Sequence, residues 1–174
     1  SQLIREGYIV PVKCYGPLQL GRQRKKEGRG RGLAGDPVAH WRRYAEGLPT
    51  ILFASKVDAS IAAMSAFNAA GIPAEHIDAN TSDEDREDII DRVRSGETKV
   101  LANCDVFTEG TDLPFLACCI LLRMAASYVT FAQAIGRVMR PFPGKKEAIL
   151  LDHSGAVSQH GMPDQDVEWT LDEG

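Results

Sequence analysis

Thr50-Ile51-Leu52-Phe53-Ala54, running into Ser55-Lys56-Val57-Asp58, is the stretch on which the fold of this 174-residue chain turns. Five consecutive uncharged residues, most of them apolar, suit a strand covered on both faces, as in a parallel sheet. Ser55 then offers a helix N-cap, with Asp58 three residues on in a capping-box-like arrangement. The expected helix places Val57, Ile61, Met64 and Phe67 on one side, and Gly71 ends it. The alternation repeats along the chain. Residues 73–78, 99–102, 118–122 and 148–151 read as further short strands. Thr81 or Ser82 caps another helix, whose first turn carries Asp83, Glu84 and Asp85, where acids complement the helix dipole. Ile89, Ile90 and Val93 should face inward there, and Gly96 should stop it. Upstream, Asp36 can cap a helix through Trp41 and Tyr44, and Tyr8-Ile-Val-Pro-Val12 reads as a first strand. Strands separated by helices imply βαβ units and a parallel sheet with helices on both faces. Ligands of such sheets bind beyond the carboxyl ends of the strands. Chemistry is therefore expected in the loops Ser55-Lys56, Asn80-Thr81, 103–112 and Asp152-His153-Ser154-Gly155.

Composition narrows the function classes. The hydrophobic share of 44% and charged share of 25% are those of an ordinary globular domain. A net charge of -4 means that any nucleic-acid binding must come from a local patch. The four cysteines, Cys14, Cys104, Cys118 and Cys119, show no Cys-x-x-Cys spacing and no clustering with His40, His76, His153 or His160. A structural zinc site is not expected, nor any other metal site. Such cysteine usage suits a reducing, cytoplasmic compartment. No stretch reads as a signal peptide or membrane span. Residues 21–35 are rich in glycine and base and read as a loop, with a phosphate-backbone contact as its functional alternative.

The most informative stretch for function is Gln133-Ala-Ile-Gly136-Arg137-Val-Met-Arg140-Pro141. As a helix it sets Gln133, Gly136, Arg137 and Arg140 on one face. Two arginines and a glutamine make a fork of donors suited to phosphate. Pro141 disfavours continued helix at the residue before it. A second constellation, Asn103-Cys-Asp-Val-Phe-Thr108-Glu109-Gly110-Thr-Asp112-Leu-Pro114, follows a strand. It could offer a carboxylate to a ribose and amides to a phosphate, or be a plain turn.

In this order, these segments resemble the second RecA-like domain of superfamily 2 helicases and translocases. Residues 51–55 match its motif IV, 103–114 its motif V and 133–140 its motif VI. Pro143-Gly-Lys-Lys146, with Ala148-Ile-Leu-Leu-Asp-His-Ser-Gly155, is similar to the RadD/XPB-like DEAD/DEAH-box group. The resemblance covers about residues 36–170. It implies a three-layer α/β domain of the P-loop NTPase type, its central sheet mostly parallel and flanked by helices. Residues 36–155 would form that domain. Residues 1–35 would be a strand and basic loop left from an interdomain connection, and 156–174 a polar tail. The resemblance makes Arg140 the arginine finger, Arg137 its companion at the ATP γ-phosphate, and Gln133 the residue coupling that phosphate to the opposing domain. Gly110 and Asp112 would lie near the nucleotide, Asp112 by the ribose. Ser55, Lys56, Thr81, Cys104 and Thr108 would touch the nucleic-acid backbone. All these segments are expected at one edge of the sheet.

Departures qualify the match. Cys104 stands where many relatives have threonine. Glu109 and Gln133 replace an arginine and a histidine of DEAD-box RNA helicases, which leans toward DNA. No Gly-x-x-x-x-Gly-Lys-Ser/Thr and no Asp-Glu-x-Asp/His occur in the sequence. ATP and Mg2+ would then be held mainly by an upstream RecA-like domain, and the chain alone is expected to be inactive as an ATPase. The abrupt start at Ser1-Gln-Leu-Ile fits a piece of a longer protein. The competing expectation is a RecA-like interaction or nucleic-acid-binding module without catalysis. A cysteine phosphatase lacks an arginine in the loop after Cys104, and a dinucleotide oxidoreductase lacks Gly-x-Gly-x-x-Gly after the first strand.

Overall fold

The computed structural model describes residues 2–16, 35–104, 112–123 and 128–164, with Tyr128 and Thr130 given by backbone alone. The basic residues 21–34, the loop residues Thr108, Glu109 and Gly110, and Trp169 lie outside the described residues.

A short helix α1 (Gln2–Arg5) leads to strand β1 (Val12–Tyr15). Helices and strands then alternate: α2 (Pro37–Tyr44), β2 (Thr50–Phe53), α3 (Val57–Ala69), β3 (Ala74–Ile77), α4 (Asp83–Ser95) and β4 (Val100–Asn103). They are followed by β5 (Cys118–Leu121), α5 (Tyr128–Val138), β6 (Ala148–Asp152) and α6 (Ala156–His160). The six strands form one sheet in the order β1-β6-β5-β2-β4-β3. Every pairing is parallel. The three-layer α/β architecture expected from the sequence is therefore the one observed.

The continuous apolar runs pack as expected. Ile51 and Phe53 enter one core layer, and Leu52 and Ala54 the other, because side chains alternate across a strand. The first layer also takes Ile89, Ile90 and Val93 of α4 and Phe131, Ile135 and Val138 of α5. Trp41 of α2 and Phe67 of α3 fill the second. Two buried polar side chains are paired in a chain: Trp41 Nε1 donates to Thr50 Oγ1 at 2.7 Å, and Thr50 Oγ1 donates to the Leu48 carbonyl at 2.8 Å.

Three local expectations need correction. The first strand is Val12–Tyr15, not residues 8–12, and pairs with β6 from Val12↔Ala148 to Tyr15↔Leu151. Pro11 lacks an amide hydrogen and falls before the ladder. The N-cap of α3 is Lys56 and makes no side-chain cap bond, so Ser55 sits one residue too early for the capping box. Finally, α3 turns Ser60 and Phe67 inward while Val57 and Ile61 stay exposed. A small residue at position 60 lets the helix approach the sheet, and its hydroxyl meets His76 Nδ1 at 2.7 Å. The α4 boundaries follow the sequence signals: Ser82 Oγ accepts from the Asp85 amide, and Gly96 closes the helix at φ 82.

Among the described residues, no helix is long and apolar enough to cross a membrane, and no cluster of ligating side chains could hold a metal.

Candidate functional site

The α5 helix buries Phe131, Ile135 and Val138, with Met139 just beyond it, on the first core layer. That stripe at i, i+4, i+7 and i+8 fixes the rotation of the helix. Gln133 is then exposed, while Arg137 retains only 8% of its exposure. The helix ends at Val138, so Arg140 lies on the turn leading into Pro141 rather than on the helical face with Gln133 and Arg137. Burial lowers the Arg137 pKa, the neighbouring Arg140 charge adds to that, and Asp112 works against both. Arg140 Nη1 forms an ion pair with Asp112 Oδ1, although both side chains remain largely exposed, at 47% and 68%. Arg137, Arg140 and Asp112 thus form one cluster, which joins the motif VI segment to the visible end of the motif V segment.

The position of this cluster differs from the expectation of a single edge. The Met139 carbonyl accepts from the Val10 amide, just ahead of β1. Lys145 Nζ donates to the carbonyls of Arg140, Leu116 and Pro114, and the last two immediately precede β5. The arginine cluster therefore sits by the amino ends of the strands. A crossover helix must carry the chain back to where the next parallel strand begins, so residues at its end cannot lie at the carboxyl edge. Burial lowers the Lys145 pKa to about 8.

Ser55, Lys56, Thr81 and Cys104 do lie beyond carboxyl ends, those of β2, β3 and β4. The two sets are separated by the length of a four-residue strand, about 13 Å. Ser55 and Lys56 are exposed. The first amides of α3 have no side-chain cap, which leaves them able to meet an anion. The connection leaving β2 runs toward β3, and that leaving its neighbour β5 runs the other way toward β6, so the sheet has a switch point beside this turn. Thr81 Oγ1 accepts from the Asp78 amide at 3.0 Å and borders a cavity of about 480 Å³ with His76, Asp78, Asp85, Asp88 and Arg92. That wall is mostly acidic, which is less favourable to phosphate than the Ser55-Lys56 turn. Cys104 is buried at 9% exposure, so its thiol does not stand in for an exposed hydroxyl.

The loop after β6 has a structural task. Asp152 Oδ1 accepts from the Ser154 amide, the Ser154 hydroxyl and the Gly155 amide, and Oδ2 accepts from the Val157 amide. A buried carboxylate so engaged holds the turn and caps the first amides of α6.

Sequence reasoning missed Lys145 and the Asp112–Arg140 pair. Both depend on a contact across 28 or more residues, and only the Pro143-Gly144 turn signal pointed at the first.

With the geometry established, comparison with known proteins assigns the family. Residues 38–141 match the helicase conserved C-terminal domain. A 51.5 kDa protein of a Lactococcus phage (isolate 7-9) is 37% identical over 179 residues, covering 96% of this chain and 39% of that protein. The putative ATP-dependent helicase IRC3 of Saccharomyces cerevisiae is 39% identical over 88 residues, 51% of this chain and 13% of the yeast protein. In fold, a fragment of a putative HsdR subunit of a type I restriction enzyme from Vibrio vulnificus YJ016 superposes with a TM-score of 0.72 at 17% identity, covering 94% of this chain and 36% of that one. The chain belongs to the helicase conserved C-terminal domain family, with a RecA-like fold. It spans well under half the length of these relatives.

Proposed function

We propose that this chain is the second RecA-like lobe of an ATP-dependent motor that acts on nucleic acid, DNA more than RNA. Residues 36–155 carry the lobe's chemistry. The observation that carries the proposal is the cluster of Arg137, Arg140 and Asp112, with one guanidinium buried and one exposed beside a carboxylate. Two cations of fixed geometry suit the terminal phosphate of a nucleotide, and the carboxylate suits a ribose hydroxyl. The donor set therefore fits one side of ATP. Mg2+ and the α- and β-phosphates would be held mainly by a first RecA-like lobe on the same polypeptide. Bound there, ATP supplies the phosphoryl group. This chain's own part is to present Arg140 and Arg137 to the developing charge when the lobes close, with exposed Gln133 at the seam. Gly110 would approach the nucleotide from the same loop as Asp112.

Separation of the two residue sets supports a division of labour. Ser55 and Lys56, with Thr81 in a lesser part, would follow the strand backbone at the carboxyl edge; a part for Thr108 stays an expectation from the sequence, and Cys104, being buried, would take none. Contacts to phosphates carry little sequence preference. Closure at the amino edge then moves the strand-binding edge as one body. The cysteine usage suits action in the cytoplasm.

The test is Arg140→Ala in the intact protein. Nucleic-acid-stimulated hydrolysis should fall by about 10³ or more, with ATP binding nearly unchanged. The isolated 174-residue chain should not turn over ATP. Wild-type turnover by Arg140→Ala would remove Arg140 from this role, and robust hydrolysis by the chain alone would remove the half-site reading.

A further inference from the structure

The segment between α5 and β6 contains Pro141-Phe142-Pro143-Gly144-Lys145-Lys146-Glu147. The Lys145 amide donates to the Phe142 carbonyl at 2.9 Å, and Gly144 has φ 81. Proline at the second position and a left-handed glycine at the third are the requirements of a type II turn. Phe142 lies edge-on to Phe115, with centroids 6.5 Å apart, which anchors the turn on the segment ahead of β5. Lys145 is thereby directed back under the arginine cluster. Its Nζ donates to the carbonyls of Leu116 at 2.6 Å, Arg140 at 2.7 Å and Pro114 at 3.0 Å. An ammonium has three donors and no acceptor, so its capacity is used up by backbone. No donor is left over for a ligand.

The three carbonyls belong to the two segments that meet at the ion pair. Arg140 ends one of them, and Pro114 and Leu116 lie two and four residues after Asp112. The Arg140–Asp112 pair is itself largely exposed, and an exposed pair fixes a long side chain only weakly. Lys145 instead fixes the backbone from which Arg140 starts. Resting on the assignment of Arg140 to nucleotide chemistry, we propose that Lys145 is a positioning residue, whose ammonium clamps the Arg140 backbone to the 112–116 segment and so aims Arg140 at the phosphate.

The experiment measures kcat and KM for ATP in the intact protein with saturating nucleic acid. The variants are Lys145→Met, Lys145→Arg, Arg140→Ala and the double variant Lys145→Met/Arg140→Ala, with Lys146→Met at the exposed neighbour as control. Lys145→Met should lower kcat by about ten- to a hundredfold while KM stays within about twofold, as expected when a catalytic group is displaced by about 1 Å. Lys145→Arg should recover part of the loss, since a guanidinium can still donate to carbonyls. In the Arg140→Ala background, Lys145→Met should cause no further loss. Normal kcat in Lys145→Met beside an inactive Arg140→Ala would overturn the clamp and leave the arginine assignment standing. Wild-type turnover by Arg140→Ala would overturn the assignment, and the clamp with it. Losses that multiply in the double variant would also refute the clamp, by showing that Lys145 acts elsewhere. If Lys145→Met does not fold, Lys145→Gln, which has no charge and only two donors, decides: a lowered kcat with unchanged KM supports positioning, and a wild-type kcat refutes it.

Discussion

Arg137 is the residue at which stability and activity should move in opposite directions. Its side chain is 8% exposed, and burial and the charge of Arg140 both disfavour its charged state. Replacement by Met keeps an unbranched side chain of similar reach and removes the charge. Asp112, whose carboxylate favours the Arg137 charge, is 68% exposed and keeps its ion pair with Arg140, so it stays solvated after the change. Taking an unfavourably buried charge out of the protein recovers part of its desolvation, on the order of 1 kcal/mol. For a chain of this size, about 1 kcal/mol corresponds to roughly 2–4 °C in Tm. Arg137→Met should therefore leave the melting temperature of the 174-residue chain unchanged or raise it by a few degrees. In the intact protein the same substitution should reduce nucleic-acid-stimulated ATP turnover by about 10³. Differential scanning calorimetry and a phosphate-release assay on matched samples measure both. A loss of more than about 2 kcal/mol in stability, with turnover intact, would refute the reasoning. Arg137 would then be buried to hold the fold rather than to meet a phosphate.

Two further outcomes test the architecture. Phe67→Ala removes a fully buried ring that meets Trp41 edge-on, and should cost about 3–5 kcal/mol in urea unfolding; a cost under about 1 kcal/mol would mean that α3 does not pack as described. Burial raises the Glu75 pKa, but hydrogen bonds from Arg92 and Thr98 outweigh it, and the net direction is down from 4.5. The stabilisation from this group is thus present above about pH 4.5 and lost as pH falls through the folded pKa. Glu75→Gln should cost about 1 kcal/mol at pH 7. The gap from wild type should narrow toward pH 3 in thermal melts, and a gap independent of pH would contradict it.

Much of the fold could be read from local signals because parallel strands buried on both faces leave continuous apolar runs. Residues 50–54 and 148–151 show this, and the helix stops at Gly71 and Gly96 were equally legible. The Val57-Ile61 face failed because hydrophobicity alone does not say which side of an apolar helix meets the sheet; close approach at Ser60 decided it. The cluster of Arg137, Arg140 and Asp112 was recognisable as residues, since donor spacing and order along the chain are properties of the sequence.

The sequence by itself determined which side chains make up the candidate site: the two arginines, the glutamine and the acid. Only the tertiary structure decided where they stand. The crossover returns α5 to the amino ends of the strands, apart from Ser55 and Lys56, and the core stripe of Phe131, Ile135 and Val138 rotates Arg137 into the protein. It also decided what holds Arg140, because the Lys145 clamp joins segments about 30 residues apart. Such contacts arise from chain crossing and packing, and these leave no periodic mark in a sequence.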